Sequence, residues 1–228
     1  MSLKKILFGK DARISYSQCG EDLIMSSIFG ALKIENPVYI DIGAHDASYL
    51  SNTYLFYLNG SSGLCIEPNP YLLDKFRKKR KRDICLNVGV GVSSAREAPF
   101  YVMTSSTLST FSKAEAERMA SLGHEKIEQV IELPLVSFDE AVATHLHGKT
   151  NLVSLDVEGL DLEILKSIDF SACRPEVFCV ETLTYSEDNT GEKIVPIIEF
   201  MKDKGYFVYA DTWVNTIFVD RAAWLGKK

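Results

Sequence analysis

Short apolar runs alternate along the chain with longer segments whose apolar positions recur at helical spacing. That alternation predicts βαβ units and a mostly parallel sheet. A first helix is expected over Gln18–Leu32 behind Ser17 as N-cap. Glu21 and Asp22 fall in its first turns, where a helix dipole favours acids, and Leu23, Ile24, Ile28 and Leu32 form its apolar face. Pro37 precedes the first strand, Val38-Tyr39-Ile40, which ends at Asp41-Ile42-Gly43. A helix over Ser51–Asn59 and a turn over Gly60–Gly63 lead to the second strand, Leu64-Cys65-Ile66, stopped by Glu67-Pro68-Asn69-Pro70.

Beyond Pro70 a helix carries Leu72, Leu73 and Phe76 on one face and runs into a basic block. Asp83–Val90 reads as the third strand and Ala98–Met103 as an added antiparallel one. Thr104–Thr110, almost all Ser and Thr, reads as loop, and Lys113–Ser121 as a polar helix. Val130–Val136 returns as a strand, and Ser137 caps a helix reaching His145. The fourth strand, Leu152–Leu155, ends at Asp156-Val157-Glu158-Gly159. Leu160–Ile168 is helical, Val177–Val180 is the fifth strand, and Ile194–Lys204 is a further helix. Tyr206–Ala210 and Thr216–Val219 close the chain as an antiparallel β-hairpin. No repeat or long linker divides the sequence. The expectation is one domain, with residues 1–36 packing as a helical segment on a core of residues 37–228.

Composition narrows the function classes. With 228 residues, 46% hydrophobic and 25% charged, the chain can bury a large core without metal or disulfide staples. A net charge of −6 argues against a general nucleic-acid binder. Five cysteines, an odd number with no C-x-x-C pair, read as buried reduced thiols in a cytoplasmic protein. The apolar patch Ile6-Leu7-Phe8 is too short for a signal sequence, and no run approaches the ~20 residues of a membrane span.

Ligands of open parallel α/β sheets bind outside the carboxyl ends of the strands, where the strand order switches. Those ends carry Asp41-Ile42-Gly43, Glu67, Asn87, Asp156 with Glu158, and Glu181. Gly43 lets backbone pass close to a ligand, and Glu67 can accept two hydrogen bonds from a ribose diol. The G-x-G-x-x-G pyrophosphate loop is missing after the first strand, and Gly89-x-Gly91 follows the third strand without a third Gly. A nucleoside without a pyrophosphate fits better than NAD. Asp156, Glu158 and Glu181 are the candidates for a general base, and three carboxylates at one pocket would raise a pKa or recruit a divalent cation.

The segments YIDIGAHDASYLSNT (Tyr39–Thr53), CIEPNP (Cys65–Pro70), NVGVGVS (Asn87–Ser93) and SLDVEGLDLEILKSIDF (Ser154–Phe170) are similar to the FkbM family of S-adenosylmethionine-dependent methyltransferases. SQCGEDLI, STLSTF and NTIFVDR extend the resemblance from Ser17 to Arg221. Two positions depart from the family: Ala47 replaces a second Gly, where its methyl would narrow the loop, and His45 stands where Asn is common. The resemblance implies a Rossmann-like class I methyltransferase fold with helices on both faces of the sheet. It also implies that Asp41, Gly43 and His45 line the methionine part of the cofactor, Glu67 the ribose and Asn87 the adenine edge; Asp156, by its place at the fourth strand's carboxyl end, is expected to orient the cofactor. A hydroxyl on a sugar, glycan or glycosylated metabolite is the acceptor it suggests.

Several features also have plainer explanations. His145 and His147 suit a helix C-terminus and lack metal-ligand spacing. Lys75–Arg82 holds seven of the 25 basic residues; it reads as a solvated helix end, or as a weak peripheral patch for an anionic surface or substrate. Trp213 and Trp224 read as packing residues. Glu158 could serve the helix dipole alone, although its place at a strand end favours a site role. Two other functions compete. A nicotinamide-dependent sugar oxidoreductase or epimerase would need the missing glycine loop and a Tyr-x-x-x-Lys pair, found only as Tyr71-Lys75 in front of the basic block. A non-catalytic nucleoside-binding scaffold would not need Asp41, Glu67, Asp156 and Glu158 together.

Overall fold

A computed structural model describes residues 12–186, 188 and 190–226, so the Ile6-Leu7-Phe8 patch and the start of the 1–36 segment lie outside the described residues. Helix α1 (Glu21–Leu32) precedes β1 (Tyr39–Ile42), α2 (Tyr54–Leu58), β2 (Gly63–Ile66), α3 (Leu73–Lys79) and β3 (Ile84–Leu86). An insert follows: β4 (Gly89–Val90), β5 (Glu97–Met103), a 3-10 turn (Ser106–Leu108), α4 (Lys113–Ser121) and β6 (Ile127–Val136). The chain returns through α5 (Phe138–Leu146), β7 (Leu152–Leu155), α6 (Asp161–Ser167), β8 (Val177–Glu181) and α7 (Val195–Asp203). It closes with β9 (Tyr206–Asp211), β10 (Asn215–Asp220) and α8 (Arg221–Leu225).

The main sheet has the order β3-β2-β1-β7-β8-β10-β9, parallel except for β10, which runs antiparallel to both of its neighbours. This is the Rossmann-like arrangement that the resemblance implies, closed by the expected C-terminal hairpin. The order reverses between β1 and β7, which pair in parallel from Tyr39↔Leu152 to Ile42↔Leu155. Because successive strand residues point to opposite faces, the apolar strands feed two cores. Ile40, Ile42, Leu64, Val153 and Phe178 pack under α5, α6 and α7. Tyr39, Cys65, Leu152, Val177 and Cys179 pack under α1, α2 and α3. Asp41, between Ile40 and Ile42, therefore lies on the second face.

The insert differs from the expected single strand over Asp83–Val90. That segment breaks at Asn87-Val88, and β4 leaves the main sheet to pair with β6 in a separate sheet of order β4-β6-β5. β5 and β6 are antiparallel, as expected, and the Ser/Thr-rich stretch holds the 3-10 turn in place of plain loop. α1 starts at Glu21 behind Gly20, not at Gln18 behind Ser17. Glu21 and Asp22 are fully buried and do more than serve a helix dipole. Asp22 accepts bonds from Ser15, Tyr16 N–H and Ser17, while Glu21 accepts from Thr212 and Asn215.

The basic block also departs from expectation. Arg80 is 1% exposed and pairs at 2.7 Å with Asp83, so the patch is not uniformly solvated. Breaking such a buried pair from one side typically costs about 3–5 kcal/mol. Ala47 is fully buried in the core under α1 to α3, so its methyl does not narrow the ligand loop. Trp224 packs on Phe207 and Tyr209, but Trp213 is 59% exposed at the hairpin turn. All five cysteines are free, and Cys19 is exposed rather than buried. Among the described residues no helix is long and apolar enough to cross a membrane.

Candidate active site

The carboxyl ends of β1 and β7 come together at the order reversal through a backbone contact that only glycine permits. Gly43 has φ +77°, and a Cβ there would stand 1.7 Å from the Asp156 carbonyl oxygen. Beyond it, His45 holds φ +46° and Leu50 φ +53°, conformations that side chains other than glycine rarely adopt. Such strained positions cluster where backbone must approach a ligand.

A cleft of about 370 Å³ opens here, walled by Asp41, Gly43, Asn52, Asp156, Glu158 and Glu181, with Trp213 at its edge. A second, mostly apolar cavity meets it along Gly43, His45, Asp156 and Glu158, and continues between Ile42, Ile66, Glu67, Val88 and Phe111. This pairing of an acidic cleft with an apolar slot is the organisation expected of a small-molecule site at a strand-order switch.

Glu67 lies in the slot with both oxygens anchored. Oε2 accepts from the His45 N–H at 2.6 Å and Oε1 from the Asn69 N–H at 2.7 Å. Burial nonetheless pushes its carboxyl up to about 7. His45 Nε2 sits 3.0 Å from Ser106 Oγ on the insert, and burial lowers its pKa. Asn87 is placed differently from the other strand-end residues. Its Nδ2 donates to the Glu67 and Pro68 carbonyls at 2.9 and 2.6 Å, bracing the turn, while Val88 and Gly89 form the slot wall.

Asp156, Glu158 and Glu181 each present a carboxylate oxygen, all within 4.8 Å of one another. Glu158 achieves this with φ +55°, at a turn fixed from two sides. Asp161, at the start of α6, accepts from the Val157 and Gly159 N–H groups at 3.3 Å. Thr110 of the insert donates to the Glu158 carbonyl at 2.8 Å. Burial brings Asp156 up to about 6 and Asp161 up to about 7. Burial and then the neighbouring carboxylates push Glu158 and Glu181 well above the usual range. The three oxygens have the spacing of a cation site as well as of a shared-proton cluster.

Sequence reasoning singled out Asp41, Gly43, His45, Glu67, Asp156, Glu158 and Glu181, and the structure brings all seven to the walls of these two cavities. It missed Asn52, whose Nδ2 donates to Ser154 Oγ at 3.2 Å while Oδ1 is buried with no hydrogen-bond partner among the described residues. The Ser51-Asn52-Thr53 run was its signal. It also missed the turn-holding role of Asp161.

Residues 41–208 match the family of the methyltransferase FkbM domain. No curated protein matches the chain at a significant level. Similar solved structures include a methyltransferase FkbM from Methylobacillus flagellatus KT, 13% identical with a TM-score of 0.49, over 95% of this chain and 47% of that one. The chain thus spans about half the length of that protein. The 1,6-didemethyltoxoflavin-N1-methyltransferase of Burkholderia thailandensis, bound to 1,6-didemethyltoxoflavin and S-adenosylhomocysteine, is 9% identical with a TM-score of 0.43, over 89% and 79% of the chains. A precorrin-6y C5,15-methyltransferase from Geobacter metallireducens GS-15 is 15% identical with a TM-score of 0.41, over 86% and 85%.

Proposed function

The chain belongs to the FkbM methyltransferase family, and we propose that it moves a methyl group from S-adenosylmethionine to a hydroxyl of a sugar or glycosylated small molecule. One observation carries this reading. The two cavities meeting at the strand-order switch offer matched acceptors for the two ends of an amino-acid nucleoside. Glu67 stands in the apolar slot, where a ribose diol would donate to its carboxylate. Asp41 lines the acidic cleft beside Asn52, where an ammonium group would pair with its carboxylate. A ligand with cationic groups also offsets the repulsion among Asp41, Asp156, Glu158 and Glu181.

When bound, the cofactor supplies an electrophilic methyl on its sulfonium. The chain's part is to aim the acceptor oxygen and receive its proton. Glu158 is the proposed general base, its carboxyl held well above the ordinary range by burial and then by the neighbouring carboxylates. Glu181 shares the proton within the same cluster, and Asp156 orients the cofactor. The exposed ring of Trp213 at the cleft edge offers an aromatic wall for the acceptor. The buried free thiols of Cys65, Cys173 and Cys179 support a reducing, cytoplasmic setting.

Titration calorimetry with S-adenosylhomocysteine and with NADH separates the cofactor classes. Labelled-methyl transfer to a panel of sugar and non-sugar hydroxyls, with and without chelator, then tests the reaction. Binding of S-adenosylhomocysteine alone and label on a sugar acceptor are expected. NADH binding overturns the cofactor assignment, and a cofactor-binding protein that labels no acceptor would be a scaffold. Turnover abolished by chelator and restored by Mg²⁺ or Mn²⁺ would give the three carboxylates to a cation instead of a proton.

A further inference from the structure

Arg80 is the largest fully buried side chain among the described residues, although it stands in the middle of a surface-type basic run. Its Nε donates to Asp83 Oδ2 at 2.7 Å, an ion pair that closes the turn between α3 and β3. That pair would suffice for a structural role. Three more bonds leave the turn altogether: Nη2 donates to Tyr39 Oη at 2.9 Å and Thr53 Oγ1 at 2.8 Å, and Nη1 to Ser51 Oγ at 3.3 Å. The rings of Tyr39, Tyr54, Tyr57 and Phe76 surround the guanidinium at 5.3 to 6.0 Å. Only a planar fork with five N–H groups can serve four acceptors on three separate segments; a lysine ammonium cannot.

Two of those acceptors, Ser51 and Thr53, flank Asn52. Thr53 accepts from Arg80, so its own proton is directed onward, to Asp41 Oδ2 at 2.5 Å. We propose that Arg80 is a positioning residue for the amino-acid end of the cofactor site: through Ser51 and Thr53 it holds residues 51–53 and the Asp41 carboxylate in the cleft wall, with Asp41 as the acceptor for the ligand's ammonium group. The proposal rests on the cofactor reading above and goes beyond it by tying the cleft to a residue outside both cavity walls.

Electrostatics supports the geometry. Burial raises the pKa of Asp41, and Arg80, then the Thr53 and Ser154 hydroxyls, oppose that rise. The other groups facing Asp41 are Asp83 beneath it, Cys65 and Glu67 from β2 and its end, Asp156 beyond β7, and Cys179 on β8. None of these is a cation. Arg80 is thus the one positive charge acting on Asp41 in this set, and the Thr53 hydroxyl carries its effect to the carboxylate.

The test uses Thr53→Val, Thr53→Ser and Arg80→Lys with three readouts. The first is the titration midpoint of the Asp41 carboxyl in the ligand-free protein, followed by carbon NMR. The second and third are calorimetric affinities for S-adenosylhomocysteine and for 5′-methylthioadenosine, which lacks the amino-acid end. Thr53→Val should raise the Asp41 midpoint by about one unit and weaken S-adenosylhomocysteine about tenfold. It should leave 5′-methylthioadenosine unchanged, and Thr53→Ser should restore both values. Arg80→Lys should give the Thr53→Val pattern, and the double variant should bind no more weakly than either single one. If Arg80→Lys does not fold, the Thr53 pair decides the question alone. Equal weakening of the two ligands, or an unmoved Asp41 midpoint, overturns the proposal. A wild-type protein that binds neither ligand overturns the cofactor reading instead, and the Asp41 titration still decides the relay.

Discussion

Glu158→Gln should make the empty protein more stable while nearly silencing it. Two unit charges 4.8 Å apart, the limiting separation among Asp156, Glu158 and Glu181, repel by about 3.5 kcal/mol at an effective dielectric of ~20. Full ionisation of all three would therefore cost about 10 kcal/mol, comparable with the whole stability of a domain. The empty cleft avoids this by keeping a proton: burial first, and then this repulsion, push Glu158 and Glu181 well above ordinary carboxyls. Replacing Glu158 by its neutral isostere removes part of that burden, a gain of about 1–3 kcal/mol at pH 8, or roughly 2–4 °C in Tm per kcal/mol for a chain of this size. The sign with pH follows from the direction of the shifts. An acid whose folded pKa is raised stabilises the fold below its ordinary value, near 4.5 for Glu158, and loses that contribution as pH climbs through the raised one. The Tm advantage of the variant should thus be absent near pH 4 and grow towards pH 8. Turnover should fall by ~10²–10⁴ with cofactor affinity little changed. Thermal melts across that range, with methyl-transfer assays alongside, measure both effects. A variant less stable than wild type at pH 8 would refute the repulsion argument. Near-normal turnover, indifferent to chelator, would refute both the base and the cation roles of Glu158.

Glu67→Ala should lower S-adenosylhomocysteine affinity by about 2–3 kcal/mol, roughly 30- to 150-fold by calorimetry. Because Glu67 titrates at about 7 in the empty protein and a diol needs its charged form, wild-type affinity should rise with pH up to about 7 and level off above it. Equal affinity at pH 5.5 and 8 would place the ribose elsewhere. Gly43→Ala should lose about 3 kcal/mol or more, seen as a large fall in Tm or as insoluble protein, since the methyl would meet the Asp156 carbonyl oxygen at 1.7 Å and φ there is +77°. Lys78→Gln combined with Lys81→Gln should shift stability by less than about 0.5 kcal/mol and leave S-adenosylhomocysteine binding unchanged in high or low salt, because both side chains are exposed.

What the sequence revealed and what it hid divide along physical lines. Strand-end residues such as Asp41, Glu67 and Asp156 could be found because each follows directly on its own apolar run, and the fold rule places such ends together. Glu181 was found the same way, although its partners Asp156 and Glu158 come from another strand. Arg80 was hidden because its acceptors Tyr39, Ser51 and Thr53 are far away in sequence, and nothing in a basic run distinguishes the one arginine that turns inward. Glu21 and Asp22 look like ordinary helix-start acids; only the distant Thr212 and Asn215 show that Glu21 is a buried anchor. The break at Asn87 was hidden for a related reason. Asp83–Val90 has continuous strand character, and it is the pairing of β4 with β6, forty-odd residues later, that draws the chain out of the main sheet. Ala47 could be judged only once its methyl was seen to pack in the core.

That break means the slot beside Glu67 is a seam between two sheets. One wall is the main sheet, at Ile42 and Ile66; the other is the insert, at Val88, Phe100 and Phe111. The insert has small cores of its own, around Met103 and Met119 and around Phe100 and Leu133, separate from the two that grip the main sheet. Only a few polar stitches cross the seam at the site, among them His45 to Ser106 and Thr110 to the Glu158 carbonyl. A ligand lying in the slot would act as mortar between two masonry courses that otherwise meet at the base of the insert, where Val90 and Val136 join the main core. The part of the insert from β5 to β6 is then expected to open first in the empty protein, with amide protons of β5 and β6 exchanging ahead of those of β1 and β7. Filling the slot would join the two units into one, so a bound ligand there would set how much of the chain unfolds at a time.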